Sequence, residues 1–108
     1  MKFTLYTATC RENAKNIKYP NDVEVIDGES LKSAVQFDHV SAKFTDDKRS
    51  NASFIESDCL MFDCDNSHSE NPEDWVTPLE LALTFSDVAF AVAYSRNHMK
   101  NKGNRIAR

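Results

Sequence analysis

Glycine is scarce in this chain of 108 residues, which contains two, Gly28 and Gly103. A Gly-rich loop that cradles phosphates with its backbone is therefore excluded, and a bound nucleotide would depend on metal ions and basic side chains. No segment approaches the roughly 18 apolar residues of a membrane span, and Thr and Tyr interrupt the first residues too early for a signal peptide. We expect a single domain over residues 1–108, located in the cytoplasm and without a membrane partner.

Cysteine is also sparse, and the three cysteines, Cys10, Cys59 and Cys64, form an odd set. Such a set lacks the density of a secreted disulfide scaffold and predicts reduced thiols. Zinc binding by Cys59, Cys64 and His68 is disfavoured. If the two cysteines share one strand, their spacing places them on opposite faces, where they cannot bind the same metal ion.

Basic residues are concentrated at the end of the chain. The net charge is −4, yet residues 96–108 carry five Lys or Arg and no acidic residue, which leaves 8 basic and 17 acidic residues in the remainder. The pattern predicts an acidic body with a basic tail, which is either a solvated, mobile terminus or a region that contacts nucleic-acid phosphates. The candidate nucleic-acid-binding residues are Arg96, His98, Lys100, Lys102, Arg105 and Arg108.

Hydrophobic periodicity predicts an α/β (α+β) fold, with a small mixed β-sheet and two or three helices. In the first half, β-branched and aromatic residues predict strands at Phe3–Thr9, Val23–Ile26 and His39–Phe44. A helix is predicted to open at Glu29 or Ser30. The polar stretch Arg11–Tyr19 could form another short helix before Pro20.

The second half of the chain predicts a strand, a helix and a second strand. Leu60–Asp65 is an apolar run of strand length. The helix begins with Thr77 as N-cap and Pro78 at the first helical position. It should run to about Phe85, and the side chains expected to be largely buried are Leu79, Leu81, Ala82, Leu83 and Phe85. Val88–Tyr94 is a continuous apolar run, typical of a strand covered on both faces. Together these elements predict a βαβ-like unit, with ligands at the carboxyl end of its first strand.

Asp63 and Asp65 end the run Leu60–Asp65 and are one residue apart. On a strand their side chains share one face, where two carboxylates repel each other unless a cation or proton lies between them. Oxygen ligands suit a hard divalent metal such as Mg²⁺ or Mn²⁺, so the pair is a candidate metal site. The alternative is that the triplet only begins a turn, since Asp readily bonds its own backbone there.

Several separate stretches resemble, in order and spacing, the N-terminal portion of archaeo-eukaryotic-type primase-polymerases encoded by bacterial mobile elements and phages. These stretches are Ser57–Asn66, Asn71–Pro78 and Ser95–Lys100. The resemblance covers most of the chain and implies that Asp63 and Asp65 are catalytic residues that bind Mg²⁺ or Mn²⁺. It also implies that DNA and nucleotides are partners, and that the chemistry is two-metal nucleotidyl transfer.

The resemblance places two further family motifs beyond Arg108: one that contacts the incoming nucleotide and one that adds another acidic metal ligand. We expect nucleotidyltransferase activity to require both motifs. The alternative function is a stand-alone phage or mobile-element protein that inhibits a host nucleic-acid-handling complex, such as a CRISPR effector, through its acidic surface or basic tail. A protein partner could also pair with an open sheet edge.

Overall fold

A computed structural model describes residues 1–95, 98–99, 101–102 and 105–106 of the chain. The chain divides into two compact units, Met1–Met61 and Phe62–Arg108. Two α-helices and three small antiparallel sheets are present in the described residues, which confirms the predicted α+β class. Within the same ranges, no helix has both the length and the apolar character needed to cross a bilayer.

A three-stranded antiparallel sheet forms the centre of the first unit. Strand β1 (Phe3–Thr7) lies between β2 (Asn21–Val25) and β3 (His39–Val40). It pairs with β2 over its full length and with β3 over two residues. The strands predicted at Phe3–Thr9 and Val23–Ile26 are confirmed, with ends that differ by one or two residues.

Helix α1 (Gly28–Val35) packs against this sheet and confirms the predicted helix. Asp27 is its N-cap: Asp27 Oδ1 accepts the backbone N–H of Ser30 at 2.8 Å, and Ser30 Oγ accepts the backbone N–H of Asp27 at 3.1 Å. This reciprocal pair satisfies two backbone donors that the helix itself leaves free. The hydrogen bond from Ser30 N–H favours the ionised carboxylate, so the pKa of Asp27 lies below its ordinary value.

The central sheet is covered on both faces at β1. Leu5 is 3 % exposed and packs with Val25 and Ala34 on the face that contacts α1. Tyr6, the next residue, packs on the opposite face with Tyr19 and a buried alanine. Because neighbouring side chains of a strand alternate between faces, one strand supplies both clusters. The stability of the first unit therefore depends on β1 more than on any other strand.

A two-stranded sheet completes the first unit. It pairs β4 (Lys43–Phe44) with β5 (Phe54–Glu56), which two short 3₁₀ turns connect. The rings of Phe44 and Phe54 meet edge to face, with their centroids 6.4 Å apart. The strand predicted at His39–Phe44 is thus present as two short strands, β3 and β4, that belong to different sheets.

The edge of β1 at Thr4 is covered by residues that follow β5. Asp58 Oδ1 accepts the backbone N–H of Thr4 at 2.9 Å, and Cys59 Sγ donates to the Thr4 carbonyl oxygen at 3.9 Å. The hydrogen bond from Thr4 lowers the pKa of Asp58, whereas burial raises the pKa of the Cys59 thiol. This part of the edge is therefore occupied and does not offer its backbone to another strand.

The second unit contains helix α2 (Pro78–Thr84) and a short hairpin of β6 (Asn101–Lys102) and β7 (Arg105–Ile106). None of its described side chains is buried. The half-buried ones are Asn66, Ser67, Ser69, Trp75 and Leu81. Within the described residues, the second unit therefore has no counterpart of the apolar clusters in the first.

The helix predicted within Arg11–Tyr19 is wrong. The backbone there forms a series of turns, in which Asn13 Oδ1 and Asn16 Oδ1 each accept the N–H two residues further on, at 3.1 and 3.3 Å. Glu12 has a φ of 55°, in the left-handed region, which interrupts any right-handed helix. Asn side chains compete with helical hydrogen bonds in this way, and the polar composition of the stretch favours the turns.

The strands predicted at Leu60–Asp65 and Val88–Tyr94, and the βαβ-like unit built from them, are also wrong. Both segments are irregular, and Leu60 and Phe62 are 85 % and 81 % exposed. An apolar run becomes a strand only where a neighbouring strand takes up its backbone N–H and C=O groups. In the described part of the chain, neither run has such a neighbour.

Candidate functional site

Asp63 and Asp65 lie in the irregular start of the second unit, and both residues are exposed. Asp65 Oδ1 accepts the backbone N–H of Ser67 at 2.9 Å. This is the turn that the sequence offered as the alternative to metal binding. An ionised carboxylate has roughly four lone-pair sites, so this hydrogen bond does not by itself exclude a metal ion.

The loop that follows is closed at its two ends by one asparagine. The Asn66 side chain donates from Nδ2 to the Val76 carbonyl oxygen at 3.0 Å and accepts the Val76 N–H on Oδ1 at 2.8 Å. Asn66 thus bonds both backbone groups of Val76, as a paired strand residue would. As a result, the chain that leaves Asp65 lies beside the chain that enters Thr77 and helix α2.

The interior of this loop is held by its own polar groups. Trp75 Nε1–H donates to the Ser69 carbonyl oxygen at 2.8 Å, and Ser69 Oγ donates to Asp74 Oδ2 at 2.7 Å. His68 Nε2 lies 3.2 Å from the carbonyl oxygen of Asp74, and a 3₁₀ turn at Pro72–Asp74 completes the loop. His68 therefore contributes a contact within the loop.

Helix α2 begins as the sequence predicts. Thr77 Oγ1 accepts the Glu80 N–H at 3.2 Å, and Pro78 occupies the first helical position, where its missing N–H has no cost. The predicted burial is wrong for Leu79 and Leu83, which are 69 % and 71 % exposed. Ala82 and Phe85 are exposed as well. Within the described residues, no other part of the chain covers the face of α2 that carries Leu79 and Leu83.

Tyr94 and His98 form an exposed aromatic pair. Their rings are stacked, with centroids 4.5 Å apart and planes inclined by 27°. The backbone N–H of His98 donates to the Ser95 carbonyl oxygen at 3.0 Å, which closes the turn that brings the rings together. His98 was predicted from the sequence as a binding residue, but Tyr94 was missed. The available signal was an aromatic residue four positions before that histidine.

The other predicted nucleic-acid-binding residues are described only in part. Lys102 and Arg105 are opposite each other in the pairing of β6 with β7. The three remaining candidates lie outside the described residues, and they are Arg96, Lys100 and Arg108.

The donor chemistry of Asp63 and Asp65 fits a magnesium ion, since Mg²⁺ is commonly bound through one or two carboxylates and keeps several water ligands. The described residues contain no group of three or more His, Cys, Asp or Glu side chains arranged to hold a metal. Because Leu60–Asp65 is not a strand, the alternation of side chains no longer places the two carboxylates on one face, and a cation bound at either of them would take its other ligands from water or substrate oxygens. Zinc is less suited to these two side chains, because they offer oxygen ligands whereas structural zinc is bound mainly by sulfur and nitrogen.

Asp38 is a structural carboxylate that the sequence did not reveal. Its Oδ1 accepts the backbone N–H of Glu12 at 2.8 Å, and its Oδ2 accepts the backbone N–H of Asn13 at 2.9 Å. The Cys10 thiol also donates to Oδ2, with Sγ and Oδ2 3.5 Å apart. Burial raises the pKa of the Cys10 thiol, and the hydrogen bond and negative charge of Asp38 raise it further. These contacts join segments about 25 positions apart, so no local pattern announces them.

Comparisons with protein-family models, with curated proteins and with solved structures found no match to this chain. The function of this chain must therefore be inferred from its own residues and contacts.

Proposed function

We propose that this chain is the N-terminal part of a DNA primase-polymerase and that its second unit binds a single-stranded template. The stacked pair of Tyr94 and His98 carries the proposal. Asp63 and Asp65 supply carboxylates for Mg²⁺ or Mn²⁺ in the same unit. A cytoplasmic location belongs to this proposal, because DNA and nucleotides are encountered there.

The aromatic pair supports single-strand binding through its exposure and its setting. Tyr94 is 67 % exposed, so a nucleotide base can reach its side chain. Stacking of a base on an aromatic side chain contributes about 1–3 kcal/mol and tolerates any base, as a template-binding surface requires. His98 also belongs to the basic segment 96–108, whose five positive charges attract the phosphates that accompany stacked bases.

The two carboxylates support the catalytic part of the proposal. Their exposure allows a cation to bind while it keeps water ligands that substrate phosphates can replace. When bound, such a cation supplies charge stabilisation at the reacting phosphate. The contribution of the chain is to hold Asp65 in a fixed turn beside a loop that its own hydrogen bonds close.

We expect Tyr94→Ala to weaken the binding of a fluorescein-labelled oligothymidylate by about tenfold, the equivalent of one lost stacking contact. Fluorescence anisotropy at low salt measures the dissociation constant. Tyr94→Phe keeps the aromatic face and should bind as tightly as the unmodified chain. Phe54→Ala, which removes an exposed ring of the first unit, should also leave the affinity unchanged.

The salt dependence provides an independent criterion for this binding. If the basic segment contacts phosphates, the logarithm of the association constant should fall linearly with the logarithm of the salt concentration. Absence of binding at low salt, or equal binding by Tyr94→Ala and the unmodified chain, would contradict the proposed template-binding role.

The metal-binding part is tested by paramagnetic broadening. We expect Mn²⁺ to broaden the NMR signals of residues around Asp63 and Asp65, and the double variant Asp63→Asn/Asp65→Asn to abolish the effect because neutral amides bind hard cations poorly. Asp46→Asn/Asp47→Asn is the matched control, since it removes a pair of adjacent carboxylates from the first unit. Broadening that persists in the first double variant would refute the assignment.

A further inference from the structure

Helix α2 presents its apolar side to solvent. Leu79 and Leu83 are one helical turn apart, so they share a face, and they are 69 % and 71 % exposed. Leu81 is on the opposite side of the helix and is half-buried. Phe85, which follows the helix as its C-cap, is 47 % exposed. Exposure of several large apolar groups together is characteristic of an interaction surface.

The charged Asp, Glu, Lys and Arg side chains in the sequence around this face are all acidic. Residues 62–95 contain seven Asp or Glu and no Lys or Arg. Glu80 is in the first turn of α2 between the two leucines in sequence, and Asp87 is in the turn that follows the helix. The apolar face is therefore bordered by negative charge at both ends of the helix.

The sign of this charge limits what can cover the leucines. Nucleic-acid phosphates and anionic lipid headgroups would be repelled, and a second copy of the same face would bring like charges together. A protein segment that carries Lys or Arg beside apolar side chains matches both properties of the surface: its apolar groups bury the leucines, and its cations approach Glu80 and Asp87.

We propose that the outer face of α2, formed by Leu79 and Leu83 and bordered by Glu80 and Asp87, is a docking surface for a basic amphipathic segment of a partner protein. The surface is distinct from the Tyr94–His98 pair and does not depend on the proposed template binding. It gives the second unit two binding regions of opposite preference, one for polyanions and one for a cationic protein segment.

The test uses the full chain and synthetic peptides of about 18 residues, five helical turns, with Leu and Lys placed to form an amphipathic helix. We expect the Leu/Lys peptide to bind in isothermal titration calorimetry. Two comparison peptides should bind at least about tenfold more weakly: one with Glu in place of Lys, and one with Ser in place of Leu.

Variants of the chain then locate the binding. Leu79→Ser/Leu83→Ser and, separately, Glu80→Lys/Asp87→Lys should each weaken Leu/Lys peptide binding by at least about tenfold. Ile17→Ser/Ile26→Ser removes two exposed isoleucines of the first unit and should leave it unchanged. Circular dichroism must show that the variants keep the helix content of the unmodified chain. If Leu79→Ser/Leu83→Ser loses helix content, Glu80→Lys/Asp87→Lys alone tests whether the peptide binds at this face.

Three results would overturn the proposal. The first is equal binding of the peptide with Ser in place of Leu, which would indicate charge attraction alone. The second is unchanged binding by both folded double variants. The third is concentration-dependent dimerisation of the chain, observed by analytical ultracentrifugation and abolished by Leu79→Ser/Leu83→Ser, which would show that a second copy covers the face.

Discussion

Leu5→Ala is expected to lower the free energy of unfolding of the first unit by about 3 kcal/mol. Leu5 is 3 % exposed and packs with Val25 and Ala34 between the central sheet and α1. Its truncation removes apolar contacts and leaves a cavity at the centre of the cluster, and β1 cannot close that cavity because it is paired on both sides. A domain of this size has few other buried side chains to compensate.

The matched control is Leu79→Ala in α2. The chemical change is the same, but Leu79 is 69 % exposed, and Leu and Ala have similar helix propensities, so we expect a change within about 0.5 kcal/mol. Urea unfolding, followed through the exchange of backbone amides in β1, measures the loss for Leu5→Ala. Equal midpoints for the two variants would show that the cluster around Leu5 does not carry the stability of the first unit.

Local chemistry explains which elements could be predicted. Thr77 and Pro78 specify the start of α2 through capping and a fixed φ, which depend on neighbouring residues alone. Strands β1 and β2 follow from runs of β-branched and aromatic residues whose pairing partner is close in sequence and antiparallel. In both cases the interactions that form the element are encoded within or near it.

The failed predictions concern elements whose partners are not encoded locally. Leu60–Asp65 and Val88–Tyr94 have the composition of strands, but composition does not supply the neighbouring strand that their backbone groups require. The outward orientation of Leu79 and Leu83 was missed for the same reason. Helical periodicity identifies an apolar face, and only tertiary contacts decide whether the face is covered.

In the candidate site, too, local features could be predicted and contacts that depend on the folded backbone could not. The sequence singles out Asp63 and Asp65 because carboxylates after an apolar run are chemically conspicuous, and it also offers the turn that Asp65 forms with Ser67. It singles out His98 but not Tyr94, because the stacking of these rings depends on the turn at Ser95. The sequence thus identifies reactive groups more readily than the backbone geometry that pairs them.

The second large effect is expected for Asp38→Ala, which should destabilise the first unit by about 2 kcal/mol. The Asp38 carboxylate accepts two backbone N–H groups, from Glu12 and Asn13, and a hydrogen bond from the Cys10 thiol. Hydrogen bonds to a charged acceptor contribute more than neutral ones, and this acceptor orders a turn that includes a residue with positive φ. Without this carboxylate, the N–H groups of Glu12 and Asn13 can bond only to water, and the turn that contains them loses the contacts that order it.

Asp63→Ala, measured in metal-free buffer, is the control with the same chemical change at an exposed position, and we expect it to leave the urea midpoint unchanged.

The reactivity of the Cys10 thiol provides a second measurement, which general destabilisation would not change. Burial raises the pKa of the Cys10 thiol, and the hydrogen bond and charge of Asp38 raise it further. The folded Asp38→Ala variant should therefore show a lower pKa for this thiol, so that Cys10 reacts with iodoacetamide at lower pH than in the unmodified chain. Thiol titration by mass spectrometry measures this shift, and an unchanged Cys10 pKa together with an unchanged midpoint would show that the contacts of Asp38 do not hold the loop.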